Sequence, residues 1–199
     1  MPVSEIINTT RLQLRLPRLS DAVDIQICAE EFQIADTMIS IPHPYPDGEA
    51  NRYIQHCLQE YKQKTAICFV ILEKQQKQFC GILELRAIDM EHQQAEISFW
   101  IRSSQWGKGF MTEVLQVAIS FGFEQLGLNR LYAYHMTRNP ASGRVLEKNG
   151  FVQEGVLRQR VRKWGDYEDV AIWAILKRDS LRSEKNIDLN GLFDINIRI

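Results

Sequence analysis

The sequence has no long apolar run and no excess of charge of one sign. No stretch approaches the roughly 18 apolar residues of a membrane-spanning helix, and the N-terminal MPVSEIINTT lacks the positive and apolar segments of a secretory signal. We therefore expect a cytoplasmic protein with no membrane partner. A net charge of −1 provides no basic field, so nucleic acid is not an expected partner either.

Closely spaced metal ligands are also missing. The cysteines at positions 28, 57, 68 and 80 form no C-x-x-C pair, and the histidines form no H-x-x-x-H or H-E-x-x-H pattern. Zinc sites usually show such close pairs. We expect no metal, and we expect the thiols to be reduced and buried.

Apolar periodicity in the N-terminal half predicts a strand, two helices and three further strands. RLQLRLP, from Arg11, alternates as a half-buried strand does. Ser20 is expected to cap the helix DAVDIQICAEEF. After the proline-rich loop ISIPHPYPDG, a second helix is expected from Asp47. TAICFVILE, FCGILELRAI and AEISFWIR then read as successive antiparallel strands, the first of them covered on both faces.

The C-terminal half predicts two more helices and three more strands. MTEVLQVAISFGFEQLG reads as a helix ended by Gly127, and NRLYAYHM as a strand. Asn139 is expected to cap the helix PASGRVLEK, with Pro140 at its first position. Gly165-Asp166 predicts a hairpin turn between the last two strands.

The resulting order is β-α-α-β-β-β-α-β-α-β-β, without an internal repeat or a linker. The chain has 199 residues, of which 45% are hydrophobic. This length and composition are enough to bury the core of one domain. We expect this domain to cover residues 1–182. The tail, residues 183–199, is open to three interpretations: an extra strand, a partner contact or a disordered segment.

The stretch SSQWGKGFMTE, residues 103–113, places two glycines around a lysine just before a helix. It is not a Walker A loop, because Lys108 is followed by Gly109, and it lacks the third glycine of the dinucleotide fingerprint, where Thr112 stands. Glycine lets the backbone approach a ligand closely, and a helix N-terminus attracts an anion. The stretch therefore indicates an anion-binding turn, with an ordinary turn as the alternative.

A second cluster, NPASGRVLEKNGF, begins another helix after the next strand. Together with the strand order, the two clusters resemble the GNAT superfamily of acyl-CoA-dependent N-acetyltransferases over about residues 10–178. More narrowly, the chain resembles the RimJ/RimL-like branch, which acetylates the N-termini of ribosomal proteins. The segments that carry this resemblance are Arg11–Arg15, Pro42–Pro46, Trp106–Glu113 and Gly165–Asp169.

The resemblance implies an α/β GNAT fold, with a mixed, mostly antiparallel sheet flanked by about four helices. It also implies acetyl-CoA as co-substrate, with the pyrophosphate held by backbone amides of the glycine turn and the pantetheine arm beside the second cluster. The cofactor contacts carried over are Phe99, Trp100, Ile101, Trp106, Gly107, Lys108, Gly109, Phe110, Met111, Thr112, Asn139 and Arg144.

Some of these contacts have alternatives. Lys108 and Arg144 either neutralise phosphate charge or stay solvated. Asn139 is expected both to cap its helix and to bind the pantetheine amide. A side chain at Met111, where the family has a small residue, fits if it points into the core.

Acetyl transfer to an amine needs a base, a donor to the oxyanion and an acid for the leaving thiolate. Glu96 lies where many family members carry the base, and the alternative is an ordinary glutamate at a strand end. One of the amides of residues 99–101 is expected to hold the oxyanion. Most of the superfamily uses a tyrosine as the acid for the thiolate, and Leu146 stands at that position here. Ser142 matches the serine that is the candidate acid in Rim-type enzymes. The alternative role for Ser142 is a local hydrogen bond to the backbone.

The acceptor is the least defined part of the prediction. An α-amine, with a pKa near 7.7–8.0 against about 10.4 for lysine, suits a carboxylate base, and the resemblance implies the α-amine of a protein such as a ribosomal protein. The alternatives are a small amine (a polyamine, an antibiotic or another amine) and a non-catalytic acyl-CoA-binding module. We expect the acceptor amine to bind beside the loop Pro42–Pro46 and the turn Gly165–Asp169. The protein is expected to be a monomer or a homodimer.

Alternate basic residues precede the hairpin turn. Arg158, Arg160, Arg162 and Lys163 are expected to share an exposed strand face, either solvated or in contact with RNA.

Overall fold

The computed structural model describes residues 6–184 and builds them around one eight-stranded sheet. The strands are β1 (Ile6–Asn8), β2 (Leu12–Arg15), β3 (Ile67–Glu73), β4 (Phe79–Asp89), β5 (Gln94–Ile101), β6 (Arg130–Met136), β7 (Val152–Lys163) and β8 (Asp166–Leu176). Their order across the sheet is β1-β2-β3-β4-β5-β6-β8-β7. Among these strands only β5 and β6 pair in parallel, so the predicted mixed, mostly antiparallel sheet is confirmed.

Six α-helices flank the sheet in the described residues, two more than predicted. They are α1 (Ala22–Ala29), α2 (Phe32–Thr37), α3 (Glu49–Gln63), α4 (Phe110–Ser120), α5 (Pro140–Lys148) and α6 (Lys177–Glu184). The predicted first helix corresponds to α1, which ends earlier than expected, at Ala29, and α2 follows as a helix that was not predicted. No helix in the described range is long and apolar enough to cross a membrane.

The predicted cap at Ser20 was wrong. Ser20 lies inside a short 3-10 turn, Leu19–Asp21, and α1 begins only after it. The side chain that organises this turn is the carboxylate of Asp21, which accepts a hydrogen bond from the backbone N–H of Arg18 at 2.7 Å. Asp21 also forms a salt bridge with Arg15. The charged pair therefore replaces a serine cap.

Alternate residues of β3 belong to two different cores. Ile67, Phe69 and Ile71 pack on the face covered by α4, whereas Cys68 and Val70 pack on the face covered by α1 and α3. The expectation of a strand covered on both faces is confirmed. The sheet therefore separates an α4 side from an α1–α3 side.

The sheet opens between its two central strands. β5 and β6 pair only from Gln94 to Glu96, against Arg130 to Tyr132. Beyond Glu96, β5 stays paired with β4, while β6 continues its pairing with β8. The two strands therefore diverge, and the N-termini of α4 and α5 lie in the chain directly after these diverging ends.

The hairpin between β7 and β8 turns one residue earlier than predicted. Trp164 and Gly165 both have positive φ, 54° and 97°, which is the backbone of a two-residue hairpin turn. The Trp164 ring stacks on Phe32, and its indole N–H donates to Asp36 at 3.0 Å. The hairpin tip is thus attached to α2.

The predicted basic face lacks one of its members. Arg158, Arg160 and Arg162 are exposed, but Lys163 is only 6% exposed and donates to the backbone oxygen of Ile41 at 2.5 Å. Of the predicted tail, the first two positions belong to α6. Residues 185–199 lie outside the described residues.

Candidate active site

The glycine turn presents a row of backbone amides. Gly107 and Gly109 both have φ of 75°, in the left-handed region that favours glycine. The Glu113 N–H donates to Gly109 O at 3.2 Å and so makes the first bond of the α4 ladder. In the described part of the chain, the N–H groups of residues 107–112 donate to no protein oxygen. They are therefore available to an anion at the positive end of α4.

The side chains around the turn make their contacts within the protein. Phe110 and Met111 are buried in the core beneath it, which confirms the orientation expected for Met111. Trp106 donates its indole N–H to the backbone oxygen of Ile101 at 2.8 Å. Lys108 donates to the side-chain oxygen of Gln105 at 2.7 Å.

A cleft of about 450 Å³ runs along the turn, between the end of β5 and α5. This volume lies in the usual range for small-molecule sites. Of the predicted cofactor contacts, the cleft is lined by Phe99, Trp100, Ile101, Trp106, Gly107, Gly109, Phe110, Met111, Thr112, Asn139 and Arg144. Lys108 is the one predicted contact that does not line it.

A second cation at the cleft was missed from the sequence. Lys148 lines the cleft together with Arg144, from which it is four residues away on α5. Residues at this spacing share a helix face, so the spacing alone could have indicated Lys148. The two cations suit a ligand that carries phosphates.

The free edge of β5 offers alternate amides to the same cleft. Arg102 N–H donates to Cys80 O at 2.7 Å, toward β4. Because successive amides of a strand point to opposite sides, the N–H groups of Phe99 and Ile101 face the opening, while that of Trp100 faces β4. The edge can therefore pair with an amide-bearing arm laid beside it, in the manner of an added strand.

Asn139 and Ser142 form a small hydrogen-bonded unit at the start of α5. The side-chain oxygen of Asn139 accepts from the backbone N–H of Ser142 at 3.4 Å, which confirms the predicted cap. Its amide nitrogen donates to the Ser142 hydroxyl oxygen at 3.0 Å. Among the described residues, the hydroxyl of Ser142 donates to no protein acceptor. Its proton is available to the cleft.

A smaller cavity of about 230 Å³ contains both predicted catalytic side chains, Glu96 and Ser142. Ser142 and Phe99 line this cavity and the cleft, so the two spaces meet at these residues. Glu96 is held by Arg86, with 2.5 Å between the carboxylate oxygen and the guanidinium nitrogen. The arrangement places a carboxylate and a hydroxyl around one small space.

The histidine in this cavity is already fully engaged. The His135 ring accepts a hydrogen bond at Nε2 from the Trp173 indole N–H, at 2.9 Å. Its proton therefore lies on Nδ1, which donates to the Met136 backbone oxygen at 2.8 Å. His135 has no free nitrogen to act as a base, so Glu96 is the better candidate.

A third cavity, of about 630 Å³, lies on the α1–α3 side of the sheet. Pro42 and Tyr45 of the proline-rich loop line it. Met38 borders all three cavities, and Ser40 and Arg86 border both the third cavity and the 230 Å³ cavity. The three cavities therefore adjoin one another between the glycine turn and α3.

The acidic residues of the hairpin turn do not line these cavities. Glu168 forms a salt bridge with Arg138, at 2.7 Å. The Asp169 carboxylate accepts from the backbone N–H of Gln159, at 2.7 Å. Asp166 begins β8 beside the turn itself. Their contacts are those of a structural element.

Comparison with known proteins agrees with this geometry. Residues 11–152 match the family described as the acetyltransferase (GNAT) domain. The chain is 34% identical over 177 residues to the uncharacterized N-acetyltransferase YoaA of Bacillus subtilis, covering 86% of this chain and 97% of YoaA. It is 26% identical over 128 residues to the ribosomal-protein-serine acetyltransferase of Escherichia coli, covering 64% of this chain and 70% of that protein.

A solved structure shares the fold. The spermidine N-acetyltransferase of Vibrio cholerae, in complex with CoA and spermine, superimposes with a TM-score of 0.77 at 26% identity, over 86% of this chain and 99% of the other. The family match covers most of the chain, and the fold and the sequence motifs lead to the same family. The chain belongs to the GNAT superfamily of N-acetyltransferases.

Proposed function

We propose that this acetyltransferase transfers the acetyl group of acetyl-CoA to the α-amine at the N-terminus of a protein, such as a ribosomal protein. The observation that carries the proposal is the position of Glu96 and Ser142 in one cavity between the cofactor cleft and the 630 Å³ cavity. In this assignment acetyl-CoA enters along the glycine turn. The acceptor enters from the α1–α3 side, past the loop Pro42–Pro46.

The first steps are deprotonation and attack. Glu96 takes a proton from the acceptor ammonium, directly or through a water molecule, and the free amine attacks the thioester carbonyl. A new C–N bond forms and the carbonyl oxygen becomes an oxyanion. The N–H groups that Phe99 and Ile101 turn toward the opening supply donors for this charge.

The last step is collapse of the tetrahedral intermediate. The C–S bond breaks and the electron pair leaves with the sulfur of CoA. The Ser142 hydroxyl donates its proton to this thiolate, while the hydrogen bond from Asn139 keeps the serine in place. As the intermediate collapses, the nitrogen loses its second proton through solvent, which replaces the proton lost by serine, and Glu96 releases its own proton to solvent. The products are the N-acetylated acceptor, free CoA and one proton.

The chemistry of the base supports an α-amine. Its pKa of about 7.7–8.0 lies well below that of a lysine side chain, so a carboxylate removes its proton more easily near neutral pH. The Escherichia coli relative is named as a ribosomal-protein-serine acetyltransferase.

A small amine is the second candidate acceptor. The 630 Å³ cavity is lined by the carboxylates of Glu49, Glu60 and Glu84 and by the guanidinium groups of Arg52 and Arg86. Because Arg52 pairs with Glu49 and Arg86 pairs with Glu96, Glu60 and Glu84 remain to favour a cationic molecule. The solved relative from Vibrio cholerae is named as a spermidine N-acetyltransferase. A non-catalytic acyl-CoA-binding module is the remaining alternative, and it predicts binding without turnover.

The test is release of CoA thiol with a panel of acceptors. We expect thiol release with peptides that carry a free α-amine, and mass spectrometry should find the acetyl group on that nitrogen. Peptides blocked at the N-terminus should be inactive. Turnover of polyamines alone would transfer the assignment to the small-amine candidate. Binding of acetyl-CoA without any thiol release would favour the binding module.

A further inference from the structure

Glu84 lies on the sheet face that the third cavity exposes. On β4, Glu84 and Arg86 are two residues apart and so project from the same face. On β5, their partners are Ser98 and Glu96 respectively. Glu84 and Glu96 are therefore diagonal neighbours, and such positions are roughly 7–8 Å apart in an antiparallel pair.

The carboxylate of Glu84 is partly buried at the wall of the third cavity, and no cation forms a salt bridge with it within the described residues. The Tyr53 hydroxyl donates to its Oε1 at 2.7 Å. In the part of the chain that the structure describes, Glu84 makes no salt bridge, since the nearby Arg86 is paired with Glu96. Burial raises the pKa of Glu84 above its ordinary value of 4.5. A buried carboxylate without a counter-charge is costly, and a bound cation would remove that cost.

The other carboxylates of the cavity differ from Glu84. Glu49 pairs with Arg52 at 2.6 Å, and Glu60 lies 3.3 Å from the His56 ring nitrogen. Both pairs are largely open to solvent, with Arg52 62% and His56 66% exposed, and solvent weakens ionic contacts. Glu84 therefore remains as the acidic group that a ligand inside the cavity would meet.

From this placement we infer that Glu84 is a specificity-determining residue, which binds a second positive charge of the acceptor while the reacting amine lies at Glu96. The inference rests on the proposed function, because it takes Glu96 as the position of the reacting nitrogen. Two sources of that charge share the same chemistry. One is the far ammonium of a short aliphatic diamine, and the other is a basic side chain next to the α-amine of a peptide.

Matched acceptors separate the two sources. One pair is a diaminoalkane and the monoamine of equal chain length. The other pair is a short peptide with lysine at its second position and the same peptide with norleucine there. In one of these two pairs we expect the wild-type enzyme to have a kcat/KM at least about tenfold higher for the acceptor with the second charge than for its neutral counterpart. A difference of this size is expected for a charge pair that is shielded from solvent. The pair that shows the difference identifies the source.

Glu84→Gln should remove this preference and leave the neutral acceptors within about twofold. The loss should appear in KM for the charged acceptor, with the pH profile of kcat unchanged, because Glu84 is assigned no proton transfer. Glu84→Asp keeps the charge and should restore part of the preference. Glu49→Gln is the matched control, since it removes a carboxylate from the same cavity that is already paired.

Each outcome decides between readings. Equal loss of activity toward charged and neutral acceptors in Glu84→Gln would overturn the inference, as would a shift of the kcat pH profile. A wild-type enzyme without preference for a second charge would overturn it too. In all three cases the neutral acceptors still turn over in the wild type, so the proposed function stands. Failure of every amine to release CoA would instead refute the proposed function.

Discussion

Arg86 and Glu96 face each other across β4 and β5, with 2.5 Å between guanidinium nitrogen and carboxylate oxygen. The pair lies just where β5 and β6 cease to pair. A guanidinium at this distance restricts the carboxylate to one orientation, beside the cavity that also contains Ser142. The proposed base is therefore fixed by a partner on the neighbouring strand.

Glu96→Gln should lower kcat by about a hundredfold or more, because the amide keeps the shape of the side chain but cannot accept the proton. The KM for acetyl-CoA should stay unchanged, since Glu96 does not line the cofactor cleft. Steady-state kinetics measures both values. Glu154→Gln, on β7, is the control, because it removes a carboxylate that is paired with Arg130 of β6. A Glu96→Gln enzyme with wild-type kcat would place the base elsewhere.

Ser142→Ala should also act on kcat, by about a hundredfold, if the hydroxyl protonates the leaving thiolate. The helix should remain capped, because Asn139 accepts from the backbone N–H of residue 142 and not from its hydroxyl. Thermal unfolding tests that separation, and Ser104→Ala at an exposed position serves as the control. Unchanged kcat would assign Ser142 the local structural role.

Gly81→Ala should disturb the free edge of β5. A Cβ at Gly81 would lie 2.2 Å from the Trp100 backbone oxygen and 2.8 Å from the Ile101 Cα, both rigid backbone atoms. We expect a loss of at least about 1–3 kcal/mol in the free energy of unfolding, together with weaker acetyl-CoA binding. Gly155→Ala is the matched control, because the nearest atom there is 4.0 Å away. Equal stability of the two variants would contradict the packing argument.

Glu113 should make the fold sensitive to acid. Burial alone would raise its pKa, but hydrogen bonds from Thr9 and Arg11 outweigh burial and lower the pKa below its ordinary value of 4.5. A lowered folded-state pKa means that the stabilisation is complete above the unfolded-state pKa and is lost as pH falls through the folded-state value. The relevant window therefore lies below about pH 4.5.

Urea unfolding of the wild type and Glu113→Gln checks this expectation. At pH 7 the variant should be less stable by about 1.5 kcal/mol, the lower end for hydrogen bonds to a charged group. The difference should shrink as the pH is lowered below the usual range of glutamate. A difference independent of pH would show that the carboxylate charge contributes nothing.

Local signals account for what could be predicted from the sequence. The strands with strong periodicity, the glycine turn and the Asn139 cap depend on residues close in the chain, and all are present. β1, with three residues, and α2, with six, are too short for periodicity to define them. Missing α2 also meant missing Met38, which follows it and borders all three cavities.

Long-range contacts account for the rest. Lys163 reaches the Ile41 oxygen across 122 positions, and the Trp164 indole reaches Asp36 across 128. No local pattern indicates that these residues leave the exposed hairpin and attach to the segment that leads to the 630 Å³ cavity. The pairing of Arg86 with Glu96 likewise depends on the register of two strands. Register follows from packing and turns rather than from either strand alone.

The account depends most on the backbone amides of the glycine turn holding the diphosphate of CoA. Amide NMR of the labelled protein during titration with acetyl-CoA measures this directly. We predict that the N–H resonances of residues 107–112 shift as the cofactor binds, and that S-acetylpantetheine, which lacks the diphosphate, leaves them in place while it shifts Phe99 and Ile101. Binding of acetyl-CoA without a shift of residues 107–112 would contradict the account.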